Sequence, residues 1–134
     1  MQIAYDLRSD DDHISAVQRA TLNTPDFGIE QTDGLFGSSE WWGKIKSGTL
    51  VTHTLRGTIT RVYMGSMNDW PMFQLTDDGG TKSEWTREAN TKAQDALYEV
   101  GRAVEIDYVV QRHKAQSWDQ GAETKCVVQI RVEA

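Results

Sequence analysis

Cysteine, proline and long apolar runs are all scarce in this chain of 134 residues. It contains one cysteine, Cys126, and two prolines. A single cysteine excludes an intramolecular disulfide framework and any cysteine-rich zinc site. No apolar run approaches the roughly 18 residues that a membrane-spanning helix needs. The first residues have neither a basic start nor an apolar segment, so we expect no signal peptide and a cytoplasmic location.

Positive charge is also in short supply. The chain has 14 Lys and Arg against 20 Asp and Glu, a net charge of -6, and its pI is near 5.0. The acidity is concentrated at the start, because residues 1–48 carry 4 basic and 8 acidic side chains while residues 49–134 carry 10 and 12. A protein that coats duplex phosphates should be basic, since its affinity depends on the phosphates it neutralises. The charge argues against that class of protein.

The residues that catalysis or metal binding would need do not stand in the required patterns. His13, His53 and His113 are far apart in sequence and form no HxxxH pair. Cys126 lies in an alternating apolar segment, which predicts a buried thiol rather than a reactive one. The sequence has no G-x-S-x-G elbow and no phosphate-binding glycine loop. We therefore predict a protein that is not an enzyme and needs no cofactor and no metal.

The first third of the chain predicts an α/β segment. Residues 2–7 alternate between apolar and polar side chains and predict a short strand. The aspartates at 10–12 can cap a helix and suit its dipole. Ser38 or Ser39 can cap a second helix that contains Trp41 and Trp42 and ends near Gly48. We expect residues 1–48 to form an N-terminal extension that packs on the remainder, with the adjacent tryptophans as packing residues.

Residues 49–134 predict a mainly β fold with one helix. Strand patterns cover residues 49–63, 72–76, 82–87, 103–112 and a last segment ending at Val132. Between the third and fourth, apolar residues at helical spacing predict a helix that Asn90 or Thr91 caps and Gly101 ends. Gly57, inside the long first strand, predicts a bend or bulge. This order favours a five-stranded Greek-key barrel of the OB-fold type with a helix between strands 3 and 4. An open antiparallel sheet covered by one helix is the alternative.

Part of this region resembles bacterial single-stranded DNA-binding proteins. The shared features are the pair Glu84-Trp85, the helix ending at Gly101, the segment Val104-x-Ile106 and the loop beginning Trp118-Asp119. The resemblance covers about residues 57–132. It implies an OB-fold and a face on which Trp85 and Trp118 stack on the bases of a single strand. Tyr108 stands where that family usually has glycine, and residues 1–48 have no counterpart in it.

The tryptophans carry the functional prediction. Trp70 shares strand parity with Met72 and Gln74, and Trp85 shares parity with Arg87, so both rings are expected on polar faces. OB-folds bind oligonucleotides on such strands, where stacking contributes roughly 1–3 kcal/mol per base. The candidate ligand-binding residues are Arg61, Trp70, Met72, Gln74, Trp85, Arg87, Arg112, Lys114 and Trp118. The alternative is that Trp70 and Trp85 pack beneath the N-terminal segment.

Two functions of different kinds follow from these patterns. The leading hypothesis is a small non-enzymatic OB-fold protein that binds single-stranded DNA or RNA. The alternative is a protein–protein interaction module, an acidic adaptor or inhibitor, which the net charge of -6 favours. We expect no membrane partner, and a homodimer is consistent with exposed strands that can pair.

Overall fold

The computed structural model describes residues 1–114 and 122–134, and at Ser66 only the backbone. Trp118 lies outside these residues. The described residues form six strands, two short 3-10 turns and three α-helices. None of the helices in these residues combines the length and the apolar character that a membrane span requires. The strands are β1 (Gln2–Asp6), β2 (Thr52–Met64), β3 (Pro71–Thr76), β4 (Lys82–Thr86), β5 (Ala103–Arg112) and β6 (Glu123–Val132), and the helices are α1 (Asp11–Asn23), α2 (Ser39–Ser47) and α3 (Lys92–Asp95).

The strands form one sheet in the order β1-β6-β5-β2-β3-β4. The pairs β1–β6, β2–β3 and β3–β4 are antiparallel. The predicted mainly β class with helices is confirmed, but the predicted five-stranded barrel is wrong, because β1 and β4 lie at the two ends of the sheet and do not pair with each other within the described residues. The reason is that β1, from the N-terminal third, pairs with β6 and adds a sixth strand at one end of the sheet. Tyr5 of β1 lies opposite Ile130 of β6.

The chain divides into two compact units. Unit 1 consists of Met1–Asp6, Thr54–Asp107 and Val128–Ala134, and unit 2 consists of Leu7–His53 and Tyr108–Val127. Each unit therefore combines segments that are distant in sequence. The division does not follow the position between residues 48 and 49 at which the sequence pattern changes.

The core of unit 1 is built on one side of β2, β3 and β4. Ile59, Phe73 and Leu75 are completely buried there, and the ring of Phe73 lies 5.0 Å from that of Tyr98. Gly57 permits a close approach, since a Cβ at this position would lie 2.5 Å from the carbonyl oxygen of Thr76. The irregularity in strand register falls instead between Ile59 and Arg61. Gly57 is therefore needed for packing rather than for the bulge.

The helix after β4 is shorter than its apolar spacing predicts. Thr91 is its N-cap, as expected, and its side chain accepts a hydrogen bond from the amide of Gln94. The helix ends at Asp95, and Val100 is 63% exposed rather than buried. Tyr98 takes the core position and donates its hydroxyl hydrogen to the carbonyl oxygen of Glu88 at 2.5 Å. The buried Tyr98 ring, which the spacing argument leaves out, decides the packing of this segment.

The core of unit 2 surrounds Trp41, which is completely buried on α2. Its ring lies 4.7 Å from the ring of Phe36, and its indole nitrogen donates to Oε1 of Gln111 at 3.1 Å. The predicted packing role of Trp41 is confirmed, while Trp42 is half-buried beneath the Arg8 guanidinium. The caps also agree with the sequence: Asp10 caps α1, Ser38 caps α2, and Gly48 ends α2 with a φ of 81°.

Burial along β5 does not follow the simple alternation that its sequence predicts. In unit 1, Val104 and Ile106 are buried as expected. In unit 2, Val109 and Gln111 are buried, whereas Tyr108 and Val110, which would continue the alternation of Val104 and Ile106, are only half-buried. The change of parity places a polar side chain, Gln111, in the core of unit 2.

Candidate partner-binding surface

The side of β2–β3–β4 that faces away from the unit 1 core carries polar and charged residues in register. Arg61 pairs with Gln74 and Gln74 with Glu84, while Tyr63 pairs with Met72 and Met72 with Thr86. The side chains alternate with the buried Phe73 and Trp85, because successive residues of a strand point to opposite faces. We call this set, together with Trp70, the outer face: Arg61, Tyr63, Trp70, Met72, Gln74, Glu84 and Thr86.

A carboxylate is held in place on the outer face, on the edge strand β4. Glu84 accepts hydrogen bonds from the Tyr63 hydroxyl and from the Gln74 amide, the latter at 2.9 Å. The Tyr63 bond and then the Gln74 bond lower the pKa of Glu84 below its ordinary value. The same contact raises the pKa of Tyr63. Glu84 is therefore ionised at neutral pH. Beside it, the Arg61 guanidinium lies over the Tyr63 ring, 4.1 Å from the ring centre.

Trp70 is the large exposed aromatic residue of the outer face. Its side chain is 57% exposed, yet its indole nitrogen donates to the Thr86 hydroxyl oxygen at 3.1 Å. The hydrogen bond holds the ring across the end of β4. An exposed aromatic ring with a fixed orientation is typical of the residues that dominate protein–protein binding. Met67, 93% exposed in the preceding loop, adds apolar surface nearby in sequence.

Trp85 does not belong to the outer face. It lies opposite Phe73 across β3 and β4 and is only 8% exposed. Its indole nitrogen donates to the Ser83 hydroxyl at 2.8 Å. The expectation that Trp85 projects from a polar face is wrong, because the register of the β3–β4 hairpin places it on the side of the buried phenylalanine. Its ring is used in the core.

Three of the predicted cations have contacts within their own units. Lys114, in unit 2, donates to the carbonyl oxygens of Thr21 and Thr24, the latter at 2.7 Å, and so neutralises the C-terminal end of α1. Arg112 lies 3.6 Å from the Glu123 carboxylate. In unit 1, Arg87 lies with one terminal nitrogen 3.6 Å from the Met64 sulfur, and its buried Nε has no hydrogen-bond partner. Trp118 is outside the described residues.

Unit 2 contains a small open pocket that the sequence did not reveal. Its volume is about 170 Å³, and it is lined by Glu30, Thr32, Asp33, Val110, Gln111, Arg112 and Glu123. Gln111 is 5% exposed and donates to Asp33 at 3.1 Å while accepting from the indole of Trp41. The buried amide thus fixes one carboxylate of a pocket with three acidic side chains and one arginine.

The described residues include histidines, acidic side chains and one cysteine. They contain no group of three histidine, cysteine or acidic side chains placed to hold a metal ion. Burial raises the pKa of Cys126 to about 11, so the thiolate that a nucleophile requires is disfavoured at neutral pH.

Comparison with known families changes the functional interpretation. The family model for Immunity protein RhsI2 matches residues 1–133. A search of curated proteins gives no match. An immunity-protein match supports a protein-binding inhibitor, so the leading hypothesis of a single-stranded nucleic-acid binder is wrong and its protein-interaction alternative is favoured. The buried position of Trp85 agrees with this correction, since it removes one of the three tryptophan rings expected to stack on bases.

Proposed function

The chain belongs to the RhsI2 family of immunity proteins, and from this membership we propose that it inhibits a cognate toxin by forming a protein–protein complex with it. The observation that carries the proposal is the length of the match, residues 1–133 of 134. The match therefore includes residues of both compact units. Such an inhibitor acts by occupying its partner and needs no catalytic group of its own.

The electrostatics of the chain support a basic partner surface. The net charge of -6 gives the protein a field that attracts cationic patches from a distance. Complementary charge raises association rates and suppresses binding to unsuitable partners. Fast association suits an inhibitor that must reach the toxin before the toxin reaches its target.

The outer face supplies the anchors that such a complex needs. A standard interface buries about 800 Å² on each partner, roughly a tenth of the 7824 Å² that this protein exposes. Within an interface of that size, a few aromatic and charged residues contribute most of the binding free energy. Trp70 supplies an exposed ring of fixed orientation and Glu84 a fixed carboxylate.

The experiment pairs the protein with the toxin domain encoded in the same gene neighbourhood. The two are produced together, the complex is purified, and the toxin is separated in denaturant and refolded. We expect a 1:1 complex by calorimetry and growth protection of cells that produce both proteins. An unrelated acidic protein of similar size serves as the control. Growth arrest despite soluble inhibitor, with no complex by calorimetry, contradicts the proposal.

A further inference from the structure

We infer that the toxin binds by adding an extended segment to the free edge of β4, next to Trp70 and Glu84. The inference rests on the proposed function, because it names the surface and the chemistry through which the toxin is recognised. It concerns only the sheet of unit 1. The occupant is a strand of the toxin that carries a cationic and an apolar side chain two residues apart.

The backbone of β4 offers hydrogen-bonding groups to such a strand. The Arg87 amide donates to the carbonyl oxygen of Pro71, and the Asp77 amide donates to the carbonyl oxygen of Thr81. The hydrogen-bonded pairs of the β3–β4 ladder therefore include 71–87 and 77–81. Antiparallel pairs alternate, which makes Phe73–Trp85 and Leu75–Ser83 the other bonded pairs. The amides and carbonyls of Lys82 and Glu84 consequently point away from β3. Among the described residues no strand lies beyond them.

The opposite edge of the sheet is closed by side chains. Asn90 accepts from the amide of Asp6 at 2.9 Å and donates to the carbonyl of the same residue at 3.1 Å. Gln94 donates to the carbonyl oxygen of Ile3 at 3.2 Å. These bonds occupy backbone groups that β1 would otherwise present to another chain, which is a usual protection of edge strands. No hydrogen bond of this kind reaches Lys82 or Glu84 in the described part of the chain, so β4 is the edge left available.

The side chains along β4 define the incoming strand. Glu84 and Thr86 are two residues apart and project to the outer face, where Trp70 lies against Thr86. A neighbouring strand places its own side chains beside them at the same spacing. A lysine or arginine fits next to the ionised Glu84, and an apolar residue fits next to the Trp70 ring. The acidic net charge of the whole chain favours the same cationic segment.

A second copy of this chain is a poorer occupant of the edge. If two β4 strands paired in antiparallel fashion about Glu84, the two Glu84 carboxylates would lie opposite each other. Like charges directly opposite in a sheet are destabilising. The charge pattern therefore favours a different protein over a homodimer at this surface.

Amide hydrogen exchange tests the inference without any substitution. In the free protein, we expect the amides of Lys82 and Glu84 to exchange rapidly and those of Ser83 and Trp85 to exchange slowly. In the complex with the toxin, amide exchange at Lys82 and Glu84 should slow by at least about tenfold, because these amide hydrogens then form hydrogen bonds with the toxin backbone. A complex that forms without protecting Lys82 and Glu84 overturns the edge inference but leaves the proposed function standing. If no complex forms, the proposed function fails as well.

A matched pair of variants separates the backbone from the side chain. Glu84→Pro and Glu84→Ala both remove the carboxylate, but only proline removes the outward amide hydrogen, and proline is tolerated at edge positions of this kind. We expect Glu84→Pro to weaken toxin binding at least about tenfold more than Glu84→Ala does, since an interchain hydrogen bond is lost. Equal affinities in two folded variants contradict the inference. If Glu84→Pro does not fold, the exchange experiment on the unsubstituted protein decides.

Discussion

Phe73 and Trp85 lie directly opposite each other on β3 and β4, on the buried side of the sheet of unit 1. Trp70 immediately precedes β3 and lies on the other side of the sheet. There its indole nitrogen donates a hydrogen bond to the Thr86 hydroxyl oxygen. Two tryptophans that look equivalent in the sequence therefore have different roles. One stabilises the fold, and the other is available to a partner.

Replacement of the buried tryptophan should destabilise the protein. Trp85→Ala removes a ring that is 8% exposed and leaves a cavity next to Phe73. Substitutions of this kind cost about 3–5 kcal/mol. Chemical denaturation followed by circular dichroism measures the change in the free energy of unfolding. A loss below about 1 kcal/mol would show that the ring is not part of the core, since surface changes have effects of that size or less.

Replacement of the exposed tryptophan should weaken toxin binding and preserve stability. Trp70→Ala removes an exposed ring and one hydrogen bond to Thr86, so we expect a loss of about 2 kcal/mol or more in binding. Calorimetry with the toxin measures the affinity, and thermal melting provides the control for folding. Val100→Ala, at another exposed apolar site of unit 1, is the matched control and should bind normally. An unchanged affinity for Trp70→Ala would exclude this ring from the interface.

An ion-pair network across β5 and β6 should make stability depend on pH. Arg131 binds Asp107 at 2.7 Å and Glu105 at 3.2 Å, and all three side chains are 22% exposed. The hydrogen bond from Arg131 lowers the pKa of Asp107, and the bonds from Arg56 and then Arg131 lower that of Glu105, from ordinary values of 3.8 and 4.5. Because these pKa values are lowered by folding, the stabilisation is present at neutral pH. It is lost as the pH falls below the ordinary values and through the lowered ones.

The variant Arg131→Met tests this network. It leaves two carboxylates without their shared cation, and we expect a loss of about 2 kcal/mol in stability at neutral pH. The difference from the unsubstituted protein should shrink in acid, where both carboxylates are protonated. Arg56→Met is the control: its side chain is 69% exposed, so a loss of less than about 1 kcal/mol is expected. A stability difference for Arg131→Met that does not change with pH would contradict the prediction.

The single thiol should be unreactive in the folded protein. Burial raises the pKa of Cys126 to about 11, so very little thiolate is present near neutral pH. We expect slow alkylation by iodoacetamide in buffer and rapid alkylation after unfolding in guanidinium chloride, both followed by mass spectrometry. Equal rates in the two conditions would show that the thiol is open to solvent in the native state.

Sequence patterns located most of the local elements because short-range forces determine them. The alternation of residues 103–112 gave the bounds of β5 without error. Asp10, Ser38 and Thr91 are helix caps in the structure because their side chains accept hydrogen bonds from amides three residues ahead, a contact that depends on neighbouring residues alone. The helix after β4 was predicted too long because its spacing argument left out Tyr98, whose buried position depends on Phe73 in another strand.

Sequence patterns predicted the candidate site only in part, because its arrangement depends on contacts between strands. Parity within one strand separates its residues into two faces, but it does not say which face is buried. The pairing of Trp85 with Phe73 makes that choice, and it comes from the register between two strands. The carboxylate of Glu84 is likewise fixed by Tyr63 of β2 and Gln74 of β3, which only the assembled sheet brings together.

By itself, the sequence determined the mainly β class, the helix caps, the acidic charge and the lack of catalytic patterns, since each depends on composition or on residues close in the chain. Only the tertiary structure decided that β1 pairs with β6, that the sheet remains open at β4, and that Trp70 rather than Trp85 is exposed. These outcomes depend on contacts between residues far apart in sequence. The free energies of these contacts come from residues throughout the core, so the pattern within one short segment does not determine them.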